Sequence, residues 1–149
     1  MLDKVNTDFQ AMDTPVNRLR SLLVHHIRSI RNYSSYYVLL TTELRKHLGF
    51  YQSSHYSIIR EYSALFTGII SEGIKKEAFR ENVRLMLIRD LFYGMLDELI
   101  VTLHVRGELP RIVQFSETLF DLVYHAIRHP GSLNPGFINP GFINPNSPP

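Results

Sequence analysis

Ile112-Val-Gln-Phe-Ser-Glu-Thr-Leu-Phe-Asp-Leu-Val-Tyr-His-Ala-Ile-Arg128 is the stretch of this 149-residue chain that decides the fold. At about 100° per residue, an arc of roughly 100° holds the polar side chains Gln114, Glu117, Thr118, Asp121, His125 and Arg128, and the apolar side chains fill an arc of about 200° opposite. A helix at the edge of a monomer needs an apolar stripe of only about 100°. The stretch therefore predicts a helix that is covered on two sides.

The preceding helix shows the same excess of apolar residues. Its leucines, isoleucines and Met95 sweep a similarly wide arc, which leaves little room for Asp90, Asp97 and Glu98. Two adjacent helices of this kind predict an isologous four-helix interface between two copies of the chain. The alternative is that both helices lie at the centre of one chain. The expected interface residues are Leu91, Met95, Leu99, Phe115, Leu119, Leu122, Val123 and Ile127.

Helical periodicity continues towards the N-terminus and predicts an all-α bundle of about five to six helices in residues 1–129. Short connections and capping residues define the expected helix ends. We expect the first helix to start at Asp13-Thr14-Pro15 and to be followed by a break from Asn32 to Ser35. The second helix should run from Tyr36 to Leu48 with Gly49 as its C-cap, and the third from a cap at Ser53-Ser54 to Lys76. The fourth should run from a cap at Asn82 to just before Gly107, and the fifth from Pro110 to Arg128.

Composition excludes several classes of protein. The chain has no cysteine, so disulfides and thiolate metal sites are ruled out. A formal net charge of +2 is too small for a nucleic-acid footprint. We find no long apolar run for a membrane span and no signal peptide, and we expect a cytoplasmic protein. No nucleophile elbow or Gly-rich phosphate loop is present, so we expect neither an enzyme nor a bound cofactor.

The last twenty residues, 130–149, differ from the rest of the chain. Asn134-Pro-Gly-Phe-Ile is repeated from Asn139, and a further Asn-Pro follows. Pro-Gly pairs form turns, and two copies of a pentapeptide are too few for a solenoid. We expect a C-terminal tail, either frayed or docked through its phenylalanines and isoleucines.

Two segments resemble a known family. Ile70-Ser-Glu-Gly-Ile-Lys-Lys-Glu-Ala-Phe-Arg80, followed by a long helix with Gly94-Met95, resembles the "EGIxxGxF(R)" stretch of TetR-type transcriptional regulators. Asp13-Thr-Pro-Val-Asn-Arg-Leu-Arg-Ser-Leu-Leu23 is similar to the start of that family's first effector-domain helix. The resemblance covers about residues 3–128. It implies a homodimerising, effector-binding C-terminal domain with a ligand cavity between the helices of each protomer.

The chain departs from the family pattern in two ways. Glu77 stands where the family often has glycine, the residue that most readily adopts the left-handed conformation that ends a helix. No helix-turn-helix segment precedes Asp13. We therefore expect contact with DNA only through a helix-turn-helix domain absent here. The chain is then either an excised domain or a natural protein without a DNA-binding domain.

Polar and aromatic side chains on the apolar helix faces are the candidate effector site. Buried polar groups need partners, and a mostly apolar cavity with a few polar groups is typical of small-molecule sites. We expect a small apolar or amphipathic effector whose anionic end lies near Arg89 or a histidine, although Arg89 could instead pair with a carboxylate such as Glu72. The candidate ligand-binding residues are His26, Tyr37, Leu40, Leu44, His47, His55, Tyr62, Phe66, Arg89 and Phe92.

Two other functions fit the same residues. Glu43 and His47 share a helix face, and His26 and His55 could join them as ligands of zinc or nickel. However, the Glu-x-x-His pairs of carboxylate-bridged metal bundles do not occur, and no metal site is predicted. A structural or adaptor dimer without a ligand is the third possibility. A tightly packed core would favour the adaptor, and a cavity would favour the sensor.

Overall fold

Residues 14–131 are described by a computed structural model. Within that range the chain is helical, as predicted. The α-helices are α1 (Pro15–Asn32), α2 (Ser34–Thr42), α3 (Ser54–Lys75), α4 (Leu85–Val105) and α5 (Ser116–Ile127). Short 3-10 helices span Leu44–Lys46, Leu48–Gln52 and Leu109–Phe115. The NPGFI repeat lies outside the described residues, so the division into a domain and a tail stays a prediction.

Helix α1 begins where the capping pattern predicts and forms the centre of the bundle. The Thr14 side chain accepts a hydrogen bond from the Asn17 N–H at 3.2 Å, and Pro15 occupies the first helical position, where its missing N–H costs nothing. Helix α1 packs against α3, α5 and the 109–115 segment. Its buried apolar face consists of Leu19, Leu22, Leu23, Ile27 and Ile30.

Helix α2 is much shorter than predicted. It ends at Thr42, not at Leu48, and 3-10 turns follow. The hydroxyls of Thr41 and Thr42 donate to the carbonyls of Tyr37 and Val38 at 2.9 and 2.8 Å, and such local bonds give the backbone an alternative to helix propagation. Gly49 lies inside a 3-10 helix, so its prediction as a C-cap is wrong.

The segment that carries the family resemblance forms the end of α3 and the turn after it. Glu77 has a φ of 58°, so a glutamate adopts the left-handed stop that glycine often provides. The chain then folds back, and the ring of Phe79 packs onto the bare backbone of Gly73. A Cβ added to Gly73 would lie 2.1 Å from Cδ2 of Phe79. Gly73 is therefore required for close packing.

The loop after α3 is bonded to the end of α5. Arg80 N–H donates to the carbonyl of Ile127 at 2.9 Å, and His129 N–H donates to the carbonyl of Ala78 at 3.2 Å. These bonds keep the loop non-helical, so α4 begins at Leu85 with Arg84 as its cap residue. The prediction of Asn82 as the cap is wrong. Helix α4 ends before Gly107, whose φ is 69°, as predicted.

Helix α5 also begins later than predicted. Pro110 starts no α-helix but lies in the 3-10 helix Leu109–Phe115, a tight turn of the kind that often precedes an α-helix. From Ser116 onwards, α5 packs on α1 and on that 3-10 segment. Its side chains Leu119, Phe120, Val123, Tyr124 and Ile127 are buried within the single chain.

Helix α4 has two apolar faces. The inner face is buried against α2, α3 and the 109–115 segment through Ile88, Phe92, Leu96, Ile100 and Leu103. The outer face exposes Met86, Leu87, Leu91 and Val105. None of the helices within residues 14–131 combines the length and apolar character that a membrane-spanning segment needs.

Candidate functional site

A cavity of about 100 Å³ lies between α1, α2, α3 and α4. Aromatic and aliphatic side chains form most of its wall, and a charged pair lies among them. Because its residues come from four α-helices and the 3-10 helix Leu44–Lys46, a change in helix packing would change its size. The lining residues are His26, Tyr36, Tyr37, Leu40, Arg45, Ile58, Ile59, Tyr62, Tyr93, Leu96, Asp97 and Ile100.

His26 stands at the centre of an aromatic cluster in this wall. Its ring centroid lies 5.7 Å from that of Tyr37, 5.3 Å from that of Tyr62 and 5.5 Å from that of Tyr93. Burial, together with the nearby charges of His25 and Arg45, lowers the pKa of His26 to about 4. At neutral pH, His26 is therefore an uncharged imidazole.

The three tyrosines of the cluster keep their protons for the same reason. Burial raises the pKa of Tyr37, Tyr62 and Tyr93 above its usual value. The Tyr37 hydroxyl donates to Oγ of Ser29 at 3.3 Å. The Tyr62 hydroxyl is buried and has no hydrogen-bond partner within residues 14–131. The cavity is therefore apolar with hydrogen-bond donors in its wall.

A larger groove of about 780 Å³ adjoins the cavity. The two share Arg45, Ile59, Tyr93 and Asp97, so they lie on either side of these four residues. Three arginines and two aspartates line the groove, which leaves one positive charge in excess. These charged residues are Arg45, Arg60, Arg89, Asp90 and Asp97.

The charged residues of the groove are mostly paired. Arg45 forms an ion pair with Asp97, and the arginine opposes the rise in the pKa of Asp97 that burial causes. Arg89 Nε donates to Oδ1 of Asp90 at 2.8 Å. Glu72, the other carboxylate considered for Arg89, is instead bound to Arg18. The arginine side chains thus line the groove while their charges are partly compensated.

The structure brings most of the candidate ligand-binding residues together. His26, Tyr37, Leu40 and Tyr62 line the cavity, and Arg89 lines the groove. Phe66 and Phe92 stack with ring centroids 5.3 Å apart and contact Tyr93 from behind.

Besides Phe66 and Phe92, which lie behind the wall, three more candidates line neither space. Leu44 falls in the 3-10 turn after α2, and His47 and His55 are exposed. Leu44 and His47 miss the cavity because α2 ends before them, so they do not lie on the helix face that lines it. Across residues 14–131, no three histidine or carboxylate side chains converge into a group that could hold a metal ion.

Sequence reasoning missed Arg45, Tyr93 and Asp97. Tyr93 and Asp97 are four residues apart, on the same face of α4 as Leu96 and Ile100, and that spacing could have revealed them. Arg45 follows a helix end that the sequence did not predict, so no helical periodicity could place it.

A second groove, of about 670 Å³, runs along the outer face of α4. Three of the expected interface residues, Leu91, Met95 and Leu99, line it. Phe115 and Leu122 are exposed elsewhere. By contrast, Leu119, Val123 and Ile127 belong to the core of the single chain. The remaining wall of this outer groove consists of Leu87, Asp90, Gly94, Glu98 and Thr102.

Known proteins resemble this chain in sequence. The "Fatty acid metabolism regulator protein" of Bacillus subtilis (strain 168) is 20% identical over 128 residues, which cover 86% of this chain and 66% of that protein. The chain thus spans about two thirds of the length of this relative.

Solved structures share the fold. The transcriptional regulator FadR from Bacillus subtilis in complex with stearoyl-CoA matches with a TM-score of 0.72 and 21% identity, over 85% of this chain and 68% of that chain. The fatty acid degradation regulator FadR from Bacillus halodurans matches with a TM-score of 0.72 and 18% identity, over 85% of this chain and 66% of that chain.

A family comparison identifies the chain most directly. Residues 1–126 match the TetR C-terminal family described as "YsiA-like protein, C-terminal region". This match extends over most of the chain and includes every helix that lines the cavity and the two grooves. The chain therefore belongs to the TetR-type C-terminal family of YsiA-like proteins, as its sequence motifs predicted.

Proposed function

We propose that this chain is the effector-binding and homodimerisation domain of a cytoplasmic transcriptional regulator, and that its effector is a long-chain fatty acyl thioester of coenzyme A. The observation that carries the proposal is that an apolar cavity and an arginine-lined groove lie side by side and share four wall residues. An amphipathic molecule needs both environments side by side. The Bacillus subtilis relative, whose structure contains stearoyl-CoA, supports the choice of ligand.

The acyl chain would enter the cavity. At about 100 Å³, the cavity is smaller than the roughly 300–1,000 Å³ typical of small-molecule sites. Binding therefore requires α2 to move away from α3 and α4. The short α2 and the 3-10 turns after it have few buried side chains, Leu40 and Phe50 among them, and are the part of the wall that can move at least cost. A ligand that binds only the open state would shift the equilibrium towards it.

The anionic end of the effector would lie in the groove. Arginine guanidinium groups bind phosphates through charge-assisted hydrogen bonds. Arg60 makes no ion pair within the described part of the chain, and Arg89 is paired only with its exposed neighbour Asp90. Both side chains can therefore turn to a phosphate without breaking a buried ion pair.

Calorimetric titration of the chain with stearoyl-CoA tests the effector. We expect saturable binding by the wild type and roughly tenfold weaker binding by Arg89→Ala, because a charge-assisted contact is lost. Arg31→Ala is the matched control, because Arg31 lies at the exposed end of α1 and lines neither the cavity nor the groove. Absence of binding by the wild type would contradict the proposal, and equal affinities of all three proteins would remove Arg89 from it.

Homodimerisation would use the outer face of α4. Its groove is lined mainly by Leu87, Leu91, Met95 and Leu99, and an apolar surface of this kind is typical of interfaces. Because a twofold interface presents the same surface from both partners, two α4 helices would cover each other. Leu122 and Phe115 would contribute at the edge. Sedimentation equilibrium at micromolar concentration should give a dimer.

The role is binding, not catalysis. The relatives are named as regulators, and the cavity favours a sensor over an adaptor that has no ligand. Contact with operator DNA would require a helix-turn-helix domain, which residues 14–131 do not contain.

A further inference from the structure

The Tyr62 hydroxyl is the least satisfied polar group of the cavity wall. Its oxygen is buried, and among residues 14–131 it has no hydrogen-bond partner. Buried polar atoms in folded proteins nearly always have a partner, and an exception calls for an explanation. Burial favours the protonated phenol. The hydroxyl therefore has a proton to donate, and no acceptor for it lies within residues 14–131.

None of the neighbours of Tyr62 within residues 14–131 accepts a hydrogen bond from its hydroxyl. The hydroxyl of Tyr37 donates its own proton to Oγ of Ser29. The ring of His26 packs against that of Tyr62 at a centroid distance of 5.3 Å with a tilt of 43°, which is a ring contact and not a hydrogen bond. A purely hydrocarbon ligand would leave the Tyr62 hydroxyl unpaired, whereas a ligand with a carbonyl oxygen would satisfy it.

Tyr62 also lies close to the junction of the cavity and the groove. Tyr93 lines both spaces, and the rings of Tyr62 and Tyr93 both contact the ring of His26, at centroid distances of 5.3 and 5.5 Å. A molecule with its anionic head in the groove and its chain in the cavity has its linking group at this junction. In an acyl thioester, that group contains the carbonyl.

We propose that the Tyr62 hydroxyl donates a hydrogen bond to the thioester carbonyl of the bound acyl ligand. Tyr62 is thereby the residue that distinguishes an acyl thioester from a molecule of equal length without a carbonyl. This inference rests on the proposed function, because it assumes that an acyl thioester enters the cavity.

Two ligands and one substitution test the inference. Stearoyl-CoA and S-octadecyl-CoA differ only in that the thioether has a methylene where the thioester has a carbonyl. By titration calorimetry, the wild type should bind the thioester about 3- to 10-fold more tightly, as expected for one neutral hydrogen bond. Tyr62→Phe should lose this preference and keep the wild-type affinity for the thioether.

Tyr37→Phe is the matched control, because it removes a hydroxyl of the same cluster that already has a partner. It should retain the wild-type ratio of the two affinities. Without ligand, Tyr37→Phe should lower the unfolding temperature, whereas Tyr62→Phe should not, since no hydrogen bond is lost. These melting curves also show that both variants are folded.

The possible failures are distinct. A thioester preference that persists in Tyr62→Phe would overturn the inference and leave the proposed function standing. An equal loss of affinity for both ligands would also overturn it, because the hydroxyl would then act on packing. Failure of the wild type to bind either ligand would overturn the proposed function, and the inference with it.

Discussion

Helices α4 and α5 are similar in apolar content but use it differently. Helix α5 buries five of its large side chains inside the protomer, where Val123 and Ile127 are only 2% and 1% exposed. Helix α4 buries its inner face equally well but leaves Leu91 53% exposed in an apolar groove. The difference follows from the neighbours, because α5 is packed against α1 and its end is bonded to the loop after α3. Nothing in the described chain covers the outer face of α4.

This difference separates core from interface more sharply than apolar content does. A wide apolar arc shows that a helix needs two partners, but not whether the second partner is part of the same chain. For α5 most of the second partner is internal. For α4 we infer that it is a second copy.

The largest effect should come from the buried side of α5. Ile127→Ala should reduce the free energy of unfolding by about 2–5 kcal/mol, because it leaves a cavity in the core. Leu122→Ala, on the same helix at 55% exposure, should cost less than about 1 kcal/mol. Urea denaturation at one fixed protein concentration measures both. Equal costs would show that α5 is not divided in this way.

Acid should weaken the inner side of α4, which contacts His26 through Tyr93. The pKa of His26 is lowered from 6.5 to about 4 in the folded protein, so the unfolded chain takes up the proton first as the pH falls. The contribution of neutral His26 is complete above pH 6.5 and is lost progressively towards pH 4. We expect a loss of about 2 kcal/mol between pH 7.5 and pH 5.

Unfolding measured at both pH values tests this expectation, with His26→Phe as the control. The variant keeps an aromatic ring in the cluster and cannot take up a proton. Between pH 7.5 and pH 5, the free energy of unfolding of the variant should fall by about 2 kcal/mol less than that of the wild type. A wild type whose stability is unchanged between the two pH values would contradict the burial of a neutral His26.

The smallest effect should come from the loop that holds the end of α5. Glu77→Gly should stabilise the protein by about 0.5–1 kcal/mol, because a left-handed conformation strains any residue with a Cβ and the gain is partly offset by the greater freedom of glycine in the unfolded chain. Glu77→Ala keeps the Cβ and should bring no such gain. Thermal unfolding of the three proteins compares them.

Much of this structure could be predicted from the sequence, for identifiable reasons. Thr14-Pro15 and Gly107 mark helix ends through local chemistry, and both predictions are confirmed. Periodicity placed His26 and Tyr62 on inward faces, where the structure has them. Local signals of this kind need no knowledge of neighbouring helices.

The failures depend on tertiary contacts or on competing local bonds. Asn82 is not a cap, because the loop before α4 is bonded to the end of α5. His47 and Leu44 miss the cavity, because α2 ends at Thr42. Leu119, Val123 and Ile127 are core residues, because α1 covers them. Their burial could be read from the sequence, but the partner that buries them could not.

The mass of the chain in solution tests the central claim, the pairing of two α4 helices. Size-exclusion chromatography with light scattering should give twice the chain mass of 17.3 kDa for the wild type and the single mass for Leu91→Glu. Leu48→Glu, the same change at an 86% exposed leucine outside α4, should remain dimeric. A monomeric wild type at micromolar concentration, or a Leu91→Glu protein that stays folded and dimeric, would contradict the account.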